Sequence, residues 1–532
     1  MKYTLIILTL CISFGSWAQT DPNLPNSEIE IIKSFNARLA EAKMLDVPTP
    51  EHEVDTNRAF IRQYKLSTQP ITLSYPAPKM KPLAMPLGEN PVNHPLYARL
   101  GYGLPSNPFG QITYYYGADR FNIQAQALYE SLDDNENDLK SFRNFEGVLD
   151  ANIYLTDMLL IKAKGSYTDQ ERFYYATQPF FEEDRRIDFK IPEVGIGFRN
   201  ALETASNIDY QFNYRYRSTS SLDTKENNHL ITGGVNKTFN EGSFSLGLHT
   251  DIELNSYNRT IDIKTNNYLF GLSAGLRQSK WNAKSGIDVV ILDDETAFLP
   301  QLRVNTHVSS LVRPFIGVHS YVNQNNFHNL TRDNPYINHR LDTINTHRNM
   351  EFFIGTAGEN DQFSYEFKVG YALGQDQALF INDFPDTNRF RLIYDDVNTL
   401  TIGLNTTVKP AIGWTAGAGV QFNSYNSDRT AEAWHLPGFQ WHLNGAYDKL
   451  LRNQLNLKAQ IRGLSGIKFL DGNNESETLK ALINFDIHID YELSKSFNAF
   501  IHLNNILDNE KDRYLGYDQV GINPQIGVSV RF

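Results

Sequence analysis

Four groups of residues in this 532-residue chain have side chains that could do chemistry. Gly271-Leu-Ser273-Ala-Gly275 matches the G-x-S-x-G pattern of a serine nucleophile, which hydrolases hold on a sharp strand-to-helix turn. Here Phe270, Leu272, Ala274 and Leu276 fall on one face of a strand and Gly271, Ser273 and Gly275 on the other, so the small residues read as a stripe on a polar interior face. His328, His339 and His347, with His319 just before them, share one polar stretch and raise a metal site. No H-x-x-x-H or similarly tight ligand spacing is present, and solvated histidines are the expectation. Asp133-Asp-Asn-Glu-Asn-Asp138 offers hard oxygen ligands for calcium but lacks the glycine and distal glutamate of an EF-hand loop, so it reads as solvated loop. The tyrosine runs at 114–116 and 174–175 have faces that stack on sugars, and their expected place is an aromatic girdle at a membrane interface. The chain is therefore read as a non-enzyme, with no catalytic, cofactor-binding or metal site.

The elements carrying these residues are strands. Ile208, Tyr210, Phe212, Tyr214 and Tyr216 alternate with Asp209, Gln211, Asn213, Arg215 and Arg217. Ile483, Phe485, Ile487 and Ile489 alternate with Asn484, Asp486, His488 and Asp490. Such runs reach about 9–12 residues, the length of a tilted membrane-spanning strand and longer than the usual five or six of a soluble sandwich. The last ten residues repeat the pattern: Ile526, Val528, Val530 and Phe532 on one face, Gly527, Ser529 and Arg531 on the other. Apolar toward lipid, polar toward a lumen and aromatic at the end is the form of a barrel-closing strand.

Short turns are expected near 118–119, 156–157, 240–242, 280, 310, 360–361, 412–413, 451–453 and 494–496. Longer polar stretches are expected at 133–143, 178–186, 218–228, 255–266, 323–348, 375–389, 465–477 and 509–522. This short–long asymmetry is that of periplasmic turns and extracellular loops, and it predicts an all-β, antiparallel transmembrane barrel of about 22 strands, with about 18 as the lower bound.

Composition fits. Mean hydropathy is −0.42, because half of each strand faces a polar lumen. The net charge of −12 argues against a nucleic-acid partner. Residues 1–18 read as a signal peptide, with Lys2 before a short apolar core and Ser16-Trp-Ala18 before the cleavage point. Cys11, the one cysteine, lies inside that core without a small residue before it, which argues against a lipoprotein. Residues 19–95 are proline-rich from Pro70 onward and read as a short, largely extended periplasmic or lumenal segment; residues 96–532 read as the barrel.

The block Leu503-Asn-Asn-Ile-Leu-Asp-Asn-Glu-Lys-Asp-Arg-Tyr514 with Gly527-Val-Ser-Val-Arg-Phe532 resembles the closing hairpin of TonB-dependent receptor barrels. Tyr97-Ala-Arg-Leu-Gly-Tyr-Gly103, Pro108-Phe-Gly110, Asp333-Asn-Pro-Tyr336 and the lead-in Ser74-Tyr-Pro-Ala-Pro-Lys-Met-Lys-Pro82 resemble a TonB-dependent receptor-like group without the usual plug. The resemblance implies 22 strands, a place in the cell outer membrane of a Gram-negative bacterium, and transport of an unidentified solute or a transport accessory. The alternatives are a non-conducting structural or assembly component that holds partners in the membrane, and a diffusion porin. Implied partners are outer-membrane lipid, the barrel assembly machinery, and TonB or another periplasmic or outer-membrane protein. Ile29, Glu30, Ile31 and Ile32 resemble, loosely, the segment that pairs with TonB by strand addition. Residues 19–95 are too few and too proline-rich for a plug, so the N-terminal segment, inward-folded loops or a partner must obstruct the lumen.

Overall fold

The computed structural model describes residues 95–532, apart from 135–137, 157, 177–184, 201–206, 260, 294, 384–385 and 452–453. The signal peptide, the proline-rich segment and residues 29–32 lie outside the described residues.

Twenty-two antiparallel strands form one sheet that closes on itself. The closing pair is the first strand, Leu96–Gly103, and the last, Asn523–Arg531, in register from Tyr97 opposite Arg531 to Gly103 opposite Gln525. At the rim, Leu96 and Phe532 exchange backbone hydrogen bonds of 3.3 and 2.9 Å. Closure leaves no unpaired edge, as a sheet in hydrocarbon requires.

The pleat sorts side chains between lipid and lumen. Ile526 and Phe532 are 64% and 65% exposed, while Ser529 between them is 5% exposed. Val528 is exposed and Val530 half-buried on the outer face with them. On the lumen side Phe500 spans the closing seam. A Cβ at Gly527 would lie 2.2 Å from its ring and one at Gly101 2.9 Å away, so only glycine lets the ring lie flat there. The Arg99 guanidinium covers the ring at 3.9 Å and approaches His502 Nε2 at 2.7 Å.

Several long polar stretches turn out to be strand. Ile208–Ser221 and Thr224–Phe239 are joined by two residues, not by the loop expected at 218–228. Phe244–Asn258 and Asp262–Arg277 likewise run through 255–266, and Phe363–Asp383 and Asp386–Val408 run through 375–389. Strands therefore reach 23 residues, beyond the expected 9–12. Above the bilayer both faces meet water or protein, so the apolar alternation fades while the hydrogen-bond ladder continues. Conversely, residues 428–438 form a long connection that no polar run announced; they hold the buried Ala433, Trp434 and His435.

Ile487, in the strand Leu482–Ser494, faces outward opposite Ala459, and the neighbouring Asp486 faces the lumen opposite Gln460. Ile487→Arg should cost about 2–4 kcal/mol near the bilayer midplane, whereas Gln460→Arg should cost less than about 1 kcal/mol. Urea titration of the heat-modifiable folded band measures both; equal losses would contradict the assigned facing.

Candidate functional site

The described loops do not all point into solvent. Residues 325–345, between the strands Arg313–Gln324 and Thr346–Glu359, cross the long-loop end of the barrel as a strap. The strap begins with a seven-residue helix, Phe327–Asp333. Asn326 caps it, its side chain accepting from Asn329 N at 2.9 Å. A second acceptor reaches in from the wall: Glu226, 1% exposed, takes the N–H groups of Phe327 and His328 at 2.5 and 3.1 Å. A carboxylate is stabilising there, where the helix leaves its first N–H groups unpaired. Asn255 donates to the same carboxylate at 3.2 Å, and Asn228 ties Glu253 to Gln324 at 2.8 and 3.3 Å.

Asp333-Asn-Pro-Tyr336 ends the helix and turns the strap across the mouth. Pro335 cannot continue a helix, and the Asn334 side chain accepts from Tyr336 N at 3.0 Å. The Tyr336 ring stacks on Tyr517 at 3.5 Å and 15°, Tyr175 meets Tyr517 edge-on at 4.8 Å, and Tyr514 Oη donates to the Asp333 carbonyl at 2.6 Å. Ile337 then forms a parallel bridge with Phe390: Phe390 N donates to Tyr336 O at 3.0 Å and Asn338 N to Phe390 O at 2.8 Å. Tyr174 Oη donates to Ile337 O at 3.1 Å, and Tyr257 Oη donates to His339 O.

Tyr174 follows the strand Leu159–Phe173, and Phe390 lies in Asp386–Val408. Those two strands stand half-way round the ring from one another, so the strap joins opposite walls. Phe327, Leu330, Ile337, Leu341 and Ile344 enter one apolar core with Ile187, Phe189, Phe380, Phe390 and Tyr514. Each such side chain, fully buried, contributes about 1.5–3 kcal/mol against the cost of ordering the strap. Inward-folded loops therefore obstruct the outer mouth.

Several sequence expectations change here. Tyr174 and Tyr175 pack in this roof, not in an interfacial girdle; Tyr114 and Tyr116 are exposed on the barrel wall. His339 and His347 are 2% and 7% exposed, not solvated. His339 sits against Phe189 and Phe327, with neither ring nitrogen hydrogen-bonded among the described residues. Burial, helped by the nearby Arg259 and Arg389 guanidiniums, holds its pKa down at about 3. His328 is held at about 3 by burial and by Arg217, Arg332 and Arg215. No three His, Cys, Asp or Glu side chains converge on a metal position among the described residues. The acidic run at 133–138 lies partly outside them.

Below the roof, the lumen wall is recessed in several places. One, of about 380 Å³, is charged. Arg303 lies over Phe315 at 4.7 Å, Lys368 pairs with Glu351 at 2.7 Å, and His249 Nε2 is 3.2 Å from Asp288. Gly271 lies between His249 and Asp288, and Ser273 follows on the same face. That segment is a strand paired on both sides, and no hydrogen bond joins Ser273 to His249 among the described residues, so a nucleophile elbow is not formed. Another, of about 690 Å³, is lined by side-chain amides such as Asn405, Gln440 and Asn484 together with His442, Arg462 and Arg513. Sequence reasoning missed the strap; its signals were the Asn326 cap and the helix-ending Asp333–Tyr336 turn.

No family model and no curated protein sequence matches the chain. Solved structures do. The FrpB iron transporter from Neisseria meningitidis is similar at a TM-score of 0.67 and 10% identity, over 83% of this chain and 81% of its own. The ferric-catecholate import receptor Fiu from E. coli K12 is similar at 0.62 and 10%, over 83% and 82%, and the copper transporter OprC at 0.60 and 12%, over 83% and 80%. The fold is thus that of TonB-dependent receptor barrels, and the chain is an outer-membrane β-barrel protein.

The histidines give the strap a pH dependence. Because His339 and His328 sit near 3 when packed and near the ordinary 6.5 when released, their contribution to closure is full above about 6.5 and falls as pH drops toward 3. Amide exchange across residues 327–341, corrected for intrinsic rate, should speed up between pH 6.5 and 4.5. His339→Phe should slow it and flatten the dependence. Exchange in the parent protein that does not respond to pH would contradict this.

Proposed function

We propose that the protein is a gated transport barrel, or a transport accessory, whose outer gate is the strap at 325–345. The observation that carries this reading is the strap itself, anchored on opposite walls across a lumen that holds polar recesses beneath it. A ligand arriving from outside would have to bind the released strap better than the packed one to open it. TonB, or another periplasmic partner, engages Ile29, Glu30, Ile31 and Ile32 by strand addition and supplies work from the inner side. The fold likeness to iron and copper transporters supports a transport role; the solute is not specified by it. A bridged mouth argues against a diffusion porin. The depth of the strap's packing also suits a non-conducting scaffold that holds partners in the membrane.

A lock separates the two. Ile337 and Phe390 are bridge partners, so cysteines placed there are close enough to cross-link. A strain lacking the protein is grown on a panel of sole carbon, nitrogen and iron sources and complemented with the parent chain or Ile337→Cys/Phe390→Cys. A transport role predicts a growth defect rescued by the parent and by the reduced pair but not by the oxidised pair. Equal rescue by the oxidised pair would refute transport through this mouth and leave the scaffold.

A further inference from the structure

The recess of about 690 Å³ lies where wall and roof meet. Its wall is formed by the strands from Asp386–Val408 to Leu482–Ser494. Arg513 and Gln519 complete it from the connection at 505–522, whose Tyr514 and Tyr517 belong to the roof. The register puts Arg462 in the middle of the wall. Its direct neighbours across the sheet are His442 on one side and Asn484 on the other, and all three line the recess. Gln440, two residues from His442, lies one row nearer the roof, and Gln460, two residues from Arg462, lies one row further from it.

The charge of this recess has one sign. Among the described residues no carboxylate lines it, whereas the smaller recess mixes Asp288, Glu351 and Glu366 with its cations. In a chain of net charge −12 that is a local exception. The adjoining carboxylate is Asp486. It already accepts from Asn505 N at 2.9 Å, and it stands 3.9 Å from the Arg462 guanidinium, whose side chain is 57% exposed. So long a pair leaves the guanidinium fork open to the lumen. Arg513 makes no ion pair among the described residues. It lies 4.7 Å from the centre of the Tyr514 ring and donates to His435 O at 3.1 Å. Leu464 of the wall and Leu515 of the connection pack on one apolar cluster of Ile467, Phe469 and Leu479, which holds Arg513 beside the wall. A cleft of one charge sign between low-dielectric walls concentrates solutes of the opposite sign.

We propose that this recess binds a solute carrying a carboxylate or phosphate group on a hydroxyl-rich body. A planar guanidinium presents paired N–H groups that match two oxygens of either anion. Arg462 offers that fork from the wall and Arg513 a second cation from the roof. His442, Gln440 and Asn484 offer donors and acceptors to hydroxyl groups. The volume is that of a small-molecule site. As a substrate class the inference rests on the transport reading; the binding itself does not.

Equilibrium dialysis of the full chain in detergent tests this with labelled glucuronate, glucose 6-phosphate and glucose, which share a body and differ in the charged group. At least one of the two anions should bind about tenfold or more tighter than glucose, and the tighter one identifies the charged group. Arg462→Gln and Arg513→Gln should each weaken that binding about tenfold, the loss of one charge-assisted hydrogen bond, with the heat-modifiable folded band unchanged. Arg303→Gln, in the smaller recess, should leave it unaltered. Asp486→Asn removes the competing charge and keeps an acceptor for Asn505 N. It should tighten binding about threefold, which a purely structural arginine would not give. The proposal fails if neither anion binds better than glucose, if Arg462→Gln binds like the parent, or if Asp486→Asn does not tighten binding. Binding in the expected pattern, with growth still supported by the oxidised Ile337→Cys/Phe390→Cys pair, would remove the transport reading and leave the site. No binding, with growth blocked by that pair, would remove the site alone.

Discussion

The constraint on which this structure depends is that a sheet in hydrocarbon can have no edge. Each unpaired N–H or C=O there costs several kcal/mol, so the first and last strands must find each other across more than four hundred residues of chain. Tyr97 to Gly103 meet Gln525 to Arg531, and the seam is backed on the lumen side by Phe500 lying over two glycines beneath Arg99. The apolar residues at 526, 528, 530 and 532 then have one place to go, which is the lipid.

Closure creates the second constraint. Twenty-two strands enclose a lumen wider than side chains alone can fill, and an unobstructed pore of that width would defeat the membrane. The described part of the chain meets this with loops. The strap buries apolar residues between walls on opposite sides of the ring, while Glu226 and the amide network around Asn228 fasten its helix to the strands below. Two buried histidines without charge sit within it. Below about pH 6.5 water offers those imidazoles a charged form that the packed strap withholds, so acid opposes the packing.

The sequence made the barrel legible because lipid writes a period of two into every strand. Ile483 to Asp490 shows it plainly, and the 22-strand count followed from turns and loops. Where the strands rise out of the bilayer the signal vanishes: residues 218–228 and 375–389 are polar and read as loops, although they are largely ladder. The roof was not legible. Tyr174, Tyr336 and Tyr517 stand in three distant segments, and only the closed ring brings them together. The histidines looked solvated for the same reason. Polar neighbours in sequence say nothing of Phe189 and Phe327, which enclose His339 in space.

The central claim is that residues 325–345 shut the outer mouth. Single-channel recording in a planar bilayer tests it most directly, comparing the parent barrel with one in which residues 327–343 are replaced by a short Gly-Ser linker. The account predicts a silent or rarely open parent and a steady, large conductance in the strapless barrel, with both folded by heat modifiability. Equal conductance in the two would contradict it.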